Sequence, residues 1–220
     1  MIYREFVTKK YAVCSGMLNF TPASPDQAGI LVTKWRDKGE SRFPAPENMK
    51  RILLLSDTHS HIDDGILKYV DAADEVWHAG DIGDLAVADA IKKRKPLRAV
   101  YGNIDDNKAR IEYPLHNRFM CEGVDVWITH IGGYPGKYNP NLRMRLAEHP
   151  PKLFICGHSH ILKVMFDKKL NLLHLNPGAA GKSGFHQVRT MLRFKIDGDK
   201  IQNLEIIELG GKNAKPGPES

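Results

Sequence analysis

A chain of 220 residues, 42% hydrophobic and 26% charged, can bury one substantial core, which excludes a fibre and a wholly disordered chain. Its formal charge of +6 permits an anionic partner, but the basic residues are scattered. The one tight cluster, Lys92, Lys93, Arg94 and Lys95, reads as the solvated last turn of a helix, where cations suit the helix dipole, so no nucleic-acid partner is expected. Cys14, Cys121 and Cys156 lie too far apart for a disulfide framework or a Cys-x-x-Cys metal knuckle, which points to a reducing compartment. No apolar run approaches the roughly 20 residues that span a bilayer, and Arg4, Glu5, Lys9 and Lys10 interrupt the first 20 positions. A cytoplasmic protein without a membrane partner is the expectation.

Residues 1–48 sustain no helical stripe and are rich in Ser, Pro, Asp and Gly; one short strand is expected over 30–35, and Pro44-Ala-Pro46 closes the segment as a stiff linker. Two readings stand. Either Met49 is the native start and residues 1–48 are an extension outside the domain, or they form an arm packed on it through Tyr3, Phe6 or Trp35.

From Arg51 apolar runs alternate with amphipathic stretches, as in layered α/β structure. Strands are expected at 52–55, 75–78 and 97–101, a helix carrying Ile62, Ile66, Leu67 and Val70, and another over 84–93. Beyond these, a hairpin over 118–121 and 124–129 turns at Glu122-Gly123, and a helix over 141–148 stops at Pro150-Pro151. A strand over 153–156 ends in Gly-His-Ser-His; strands over 162–166 and 170–175 pair around Asp167-Lys168-Lys169. The last pair, 191–196 and 201–207, turns at Asp197-Gly198-Asp199, and residues 210–220, rich in Gly, Pro and Lys, are expected to be a disordered tail after a domain spanning 49–209.

Strand ends carry ligand-type residues in this order: Asp57 and His59, Asp81, Asn103, His130, and His158 with His160. Singly, an Asp before a helix is an N-cap and a strand-end His is a hydrogen-bonded structural residue. Together they converge, because α/β sheets build their sites at strand ends. In extended backbone Asp57 and His59, two apart, would leave the strand on the same side. Gly80, Gly102 and Gly157 each precede one of these residues, where tight turns would aim the side chains inward.

Asp57-x-His59, Gly80-Asp81, Gly102-Asn103, Thr129-His130 and Gly157-His-Ser-His160 resemble, in order, the motif set of the calcineurin-like metallophosphoesterases. The short domain, Gly-Asn-Ile-Asp and Asn176-Pro-Gly178 are similar to the small YfcE-type phosphodiesterases. The resemblance implies a four-layer αββα sandwich of two mixed β-sheets flanked by helices. It implies two divalent transition-metal ions, one held by Asp57, His59, Asp81 and His160 and the other by Asp81, Asn103, His130 and His158. Catalysis would fall to Asn103, His130 and Asp81, with a metal-bridging hydroxide attacking a phosphodiester. Two carboxylates against a charge of +4 leave positive charge for substrate, and four imidazoles favour manganese, iron, nickel, cobalt or zinc over magnesium, with manganese placed first.

Many relatives carry His after the Gly-Asn; here it is Ile104, so a general acid is missing and diesters with good leaving groups are favoured over monoesters. A small phosphodiester is the expected substrate, and a homo-oligomer is compatible. A phosphomonoesterase with the same centre, and a non-catalytic protein-binding scaffold like the retromer subunit of this fold, are the alternatives. His61 reads as a surface residue opening a helix, His78 as an orienting residue behind the ligands, and Lys182 and His186 as a solvated loop. His116, His149 and His174 lie outside any motif and receive no role.

Overall fold

The computed structural model describes residues 33–34 and 49–212. The Met49 start, the Pro44-Ala-Pro46 linker and contacts through Tyr3, Phe6 or Trp35 lie outside the described residues, as does 213–220. Of the strand expected over 30–35, β1 (Thr33–Lys34) is described, pairing parallel to residues 205 and 206.

In β2 (Met49–Leu55) both faces are buried, since Ile52 and Leu54 join one apolar cluster while Leu53 and Leu55 join another. A strand covered on both sides reads as an unbroken apolar run, and that is why Ile-Leu-Leu-Leu lacks alternation. Fully burying each of these side chains contributes roughly 1.5–3 kcal/mol. It lies beside β3 (Glu75–His78), then β4 (Leu97–Ala99), all parallel. On the other side come β12 (Val188–Asp197) and β13 (Lys200–Gly211), completing a six-stranded mixed sheet in the order β1-β13-β12-β2-β3-β4. The second sheet is built from β5 (His116–Cys121), β6 (Val124–Thr129), β9 (Leu153–Ile155), β10 (Lys163–Asp167) and β11 (Leu172–Asn176), ordered β10-β11-β9-β6-β5.

The sheets face each other across a core that includes Trp77, Ala79 and Phe194 from the first and Val126, Ile155 and Leu175 from the second. Helices α1 (Asp64–Ala72) and α2 (Leu85–Lys92) cover the first sheet's outer face through Ile66, Val70, Val87 and Ile91. Helix α4 (Pro140–Glu148) covers the second through Leu142 and Leu146 packed on Trp127 and Phe154. The result is the αββα sandwich.

Differences from the sequence reading have local causes. The six-residue helix α3 (Asn107–Glu112) is capped by Asp106 but buries only Ala109, so it leaves no apolar stripe. Two-residue strands β7 (Gly133–Tyr134) and β8 (Lys137–Tyr138) are too short for a pattern. Gly210 and Gly211, expected from the sequence to lie beyond the last strand, continue β13 instead, and Gly211 pairs with Val188. Backbone pairing, indifferent to side chain, carries the strand past its last apolar residue. Cys121 and Cys156 are free and buried, and no described helix is long and apolar enough to cross a membrane.

Asp63 joins α1 to β12. Its carboxylate caps the helix by accepting from Ile66 N at 3.0 Å and pairs with Nη1 of the buried Arg189 at 2.8 Å. Burial pushes the Asp63 pKa up, but the Arg189, His61 and Ile66 bonds outweigh it and hold the group at about 2. Because the folded value lies below the ordinary 3.8, this stabilisation is complete above that pH and is lost as pH falls from there to about 2. Asp63→Ala, which strands a buried guanidinium and removes the cap, should cost about 2–3 kcal/mol in urea unfolding. Asp63→Asn, keeping the cap, should cost less; a loss under about 0.5 kcal/mol for the alanine variant would contradict the pairing.

Candidate metal centre

Parallel strands from both sheets end on one edge of the sandwich, β2 before Asp57, β3 before Asp81 and β4 before Asn103, with β6 before His130 and β9 before His158. All seven expected residues lie there. Asp57, His59, Asp81 and His160 form one group of converging ligand atoms, and Asp81, His130 and His158 form a second that shares Asp81. Asn103 Oδ1 adjoins the second group, 3.1 Å from His130 Nε2.

The backbone that achieves this is not the extended one expected from spacing. The strand stops at Leu55, and Asp57 and His59 adopt φ of 54° and 46°, as do Asp81 at 56°, His158 at 68° and His160 at 55°. Left-handed backbone at residues other than glycine costs on the order of 1–2 kcal/mol each and persists only where surroundings impose it. Here the ligand-type residues themselves take the turn, and two of the preceding glycines serve for space. A Cβ on Gly102 would lie 2.0 Å from Asp81 Oδ1, and one on Gly157 2.0 Å from Ser56 Oγ. Only Gly80, at φ +92°, fits the turn-making role expected of all three.

Hydrogen bonds fix the ring protons. His186 Nε2 lies 3.0 Å from the carbonyl of Gly181, which can only accept, so Nε2 carries the proton and Nδ1 is free. That Nδ1 faces His160 Nδ1 at 3.3 Å and takes its N–H, leaving a lone pair on His160 Nε2. Burial lowers the His186 pKa and keeps its ring neutral. His130 donates from Nδ1 to Ala79 O at 2.8 Å, which likewise leaves Nε2 for the cluster. Gly184 makes room for this arrangement, since a Cβ there would fall 2.1 Å from His160 Nδ1. His186, read from the sequence as part of a solvated loop, is therefore half-buried behind a ligand-type residue. A second residue missed from sequence is Asp105, whose carboxylate accepts from Gly83 N and Gly102 N, each at 2.7 Å, tying the second and third loops together.

His78 acts through backbone. Gly80 N–H donates to its Nδ1 at 3.1 Å, so Nε2–H faces Thr58 Oγ1 at 2.9 Å, and burial pushes its pKa down to about 4. Asn176 holds the last loop by donating to Gly157 O at 2.8 Å. His61 sits 2.9 Å from Asp63 beside the start of α1.

These residues suit a cation. Asp57 Oδ1 is buried with no hydrogen-bond partner, while Oδ2 is held by His158 N at 3.1 Å. His160 Nε2 stands 3.2 Å from that orphaned oxygen and 3.2 Å from His59 Nε2, so electron-rich atoms converge at a buried point. Asp81 accepts from Ile104 N at 3.1 Å and lies 3.1 Å from His130 Nε2. Burial opposes its charge, but the His130 and Ile104 contacts win and hold its pKa below the usual carboxylate value. The His130 pKa is lowered by burial yet raised overall by Asp81 and Asp57, whereas burial and the charge of His130 lower that of His158.

Residues 49–199 match the sequence pattern of the calcineurin-like phosphoesterase superfamily domain. No curated protein matches by sequence. Among solved structures, a predicted phosphoesterase from Streptococcus pneumoniae superposes with a TM-score of 0.53 at 22% identity, covering 77% of this chain and 94% of that one. A phosphodiesterase described as archaeal gives 0.53 at 21%, covering 72% and 99%. Vps29 from Entamoeba histolytica, solved with zinc, gives 0.58 at 14%, covering 73% and 99%. At these identities the likeness is one of fold.

Proposed function

Because the chain belongs to the calcineurin-like phosphoesterase superfamily, we propose that residues 49–209 form a metal-dependent phosphodiesterase domain acting on a small diester. The observation that carries this reading is the pair of ligand groups joined through Asp81. Asp57, His59, Asp81 and His160 would hold one divalent ion, and Asp81, Asn103, His130 and His158 the other, with manganese the first choice from the nitrogen-rich ligand set. When bound, two such ions supply an activated water nucleophile and neutralise phosphoryl charge. The chain's own part is to position. His186 and the Ala79 carbonyl hold the ring protons of His160 and His130 away from the cluster, and the Ile104 N–H steadies Asp81. Cytoplasmic residence belongs to the same proposal.

The side chain at position 104 is a partly exposed isoleucine, which cannot donate a proton to a departing alkoxide. Leaving groups that depart as stable anions are then favoured. The metal-loaded full chain is expected to cleave bis(p-nitrophenyl) phosphate faster than p-nitrophenyl phosphate, by about tenfold or more in kcat/KM. The reverse order would favour a phosphomonoesterase. The fold likeness to Vps29 supports a second reading, a protein-binding scaffold; it would gain if the protein bound metal yet stayed inert on both esters.

A further inference from the structure

Beside Asn103 and His130 the surface opens into a cleft of about 420 Å³, also lined by Tyr101, Arg110, His116 and Arg145. No Asp or Glu lines it. Several other arginines are neutralised: Arg94 pairs with Asp71, Arg98 with Glu75, Arg118 with Asp125, and Arg189 with Asp63. Neither Arg110 nor Arg145 has a carboxylate partner among the described residues, and both are exposed at the cleft.

Arg110 is set in place. Its Nε donates to Asp105 O at 2.9 Å and Nη2 to Asn103 O at 3.4 Å, with the guanidinium 5.1 Å from the centre of the Tyr101 ring. Those bonds use one edge of the fork and leave Nη1 for a ligand. Arg145 comes from the last turn of α4, which covers the other sheet, so the cleft draws its two cations from elements on different sheets. His116 adds no charge, because burial and the neighbouring Arg145 lower its pKa. A positive cleft that shares Asn103 and His130 with the ligand cluster is placed to hold a second anionic group of a molecule whose diester lies at that cluster.

Building on the phosphodiesterase reading, we infer that the Arg110–Arg145 cleft is a subsite for a second phosphate on the substrate. The diester undergoing hydrolysis sits at the ligand cluster; the second phosphate, uncleaved, takes hydrogen bonds from Arg145 and the free edge of Arg110. A charge-assisted bond of this kind is commonly worth 1.5–3 kcal/mol, so the second phosphate should lower KM by about 10- to 100-fold.

The test compares thymidine 5′-(p-nitrophenyl phosphate) with and without a 3′-phosphate, using the metal-loaded full chain and its Arg145→Ala variant. Wild type is expected to show the lower KM for the 3′-phosphorylated diester. Arg145→Ala should raise that KM by about tenfold or more, and change the KM of the other diester less than twofold. Equal loss on both substrates, or no wild-type preference, would overturn the subsite while leaving the phosphodiesterase reading intact. If neither ester is cleaved, that reading fails, and calorimetric titration still decides the subsite. Tighter binding of thymidine 3′,5′-bisphosphate than of thymidine 5′-monophosphate, lost in Arg145→Ala, supports it, and equal affinities reject it.

Discussion

Asp81→Asn is expected to leave a folded protein that turns over a phosphodiester about 10³-fold more slowly and retains less metal. Asp81 is the only residue common to both ligand groups, so one substitution weakens both. Asparagine has nearly the same volume, and the buried pocket can keep its shape. What changes is the charge and one acceptor. The oxygen that receives Ile104 N at 3.1 Å can be retained, but the atom facing His59 Nε2 at 3.6 Å then becomes an amide nitrogen, which only donates. Removing one of two carboxylates against four imidazoles halves the negative charge available to hold the ions. Loss of several kcal/mol of transition-state stabilisation corresponds to about three decades in rate. Rate measurement, elemental analysis of bound metal and a thermal melt together check the result. Near-wild-type turnover would show that the shared carboxylate is not part of the reaction centre.

Gly102→Ala is expected to reduce activity about 10²-fold with lower metal content and a modest loss of stability. The glycine φ is not unusual here; the constraint is space. The added Cβ would lie 2.0 Å from Asp81 Oδ1 and 2.4 Å from Asp81 N. A carboxylate can rotate, but a backbone nitrogen moves only with its loop. That loop is pinned, because Gly102 N donates to Asp105 Oδ2 at 2.7 Å and Asp105 also holds Gly83 N. The methyl group must therefore push Asp81 out of register with His130 and His59. A displacement near 1 Å at a reacting centre commonly costs about 10²-fold. Gly211→Ala is the control, since its Cβ would meet nothing closer than Gln187 O at 3.7 Å. Equal activity in the two variants would mean that the site tolerates a shift of Asp81.

The residues of this site were readable before its geometry. The strand Glu75–His78 has the limits its sequence suggests, because Glu-Val-Trp-His is buried on both faces and bounded by Asp74 and Gly80. Asp57, His59 and Asp81 likewise announce themselves by type and order. Their backbone does not, because an aspartate at φ 54° is held there by tertiary contacts: Asp57 N bonds to Gly80 O, and Gly181 N bonds to Asp57 O. His186 was illegible for a related reason. It lies 26 positions beyond His160 in a loop without periodicity, and only the fold brings the two rings to 3.3 Å. The Arg110–Arg145 cleft joins a short helix with no apolar stripe to a helix on the opposite sheet, a juxtaposition that no local pattern records.

The central claim is that two ions, coupled through Asp81, make the reaction centre. Its most direct measurement is a titration of metal-free full-length protein with manganese, reading bound ions per chain and turnover of bis(p-nitrophenyl) phosphate together. The expected result is uptake of two ions per chain, with turnover rising mainly as the second is bound. Full turnover without metal, or saturation of activity at one ion per chain, would contradict it.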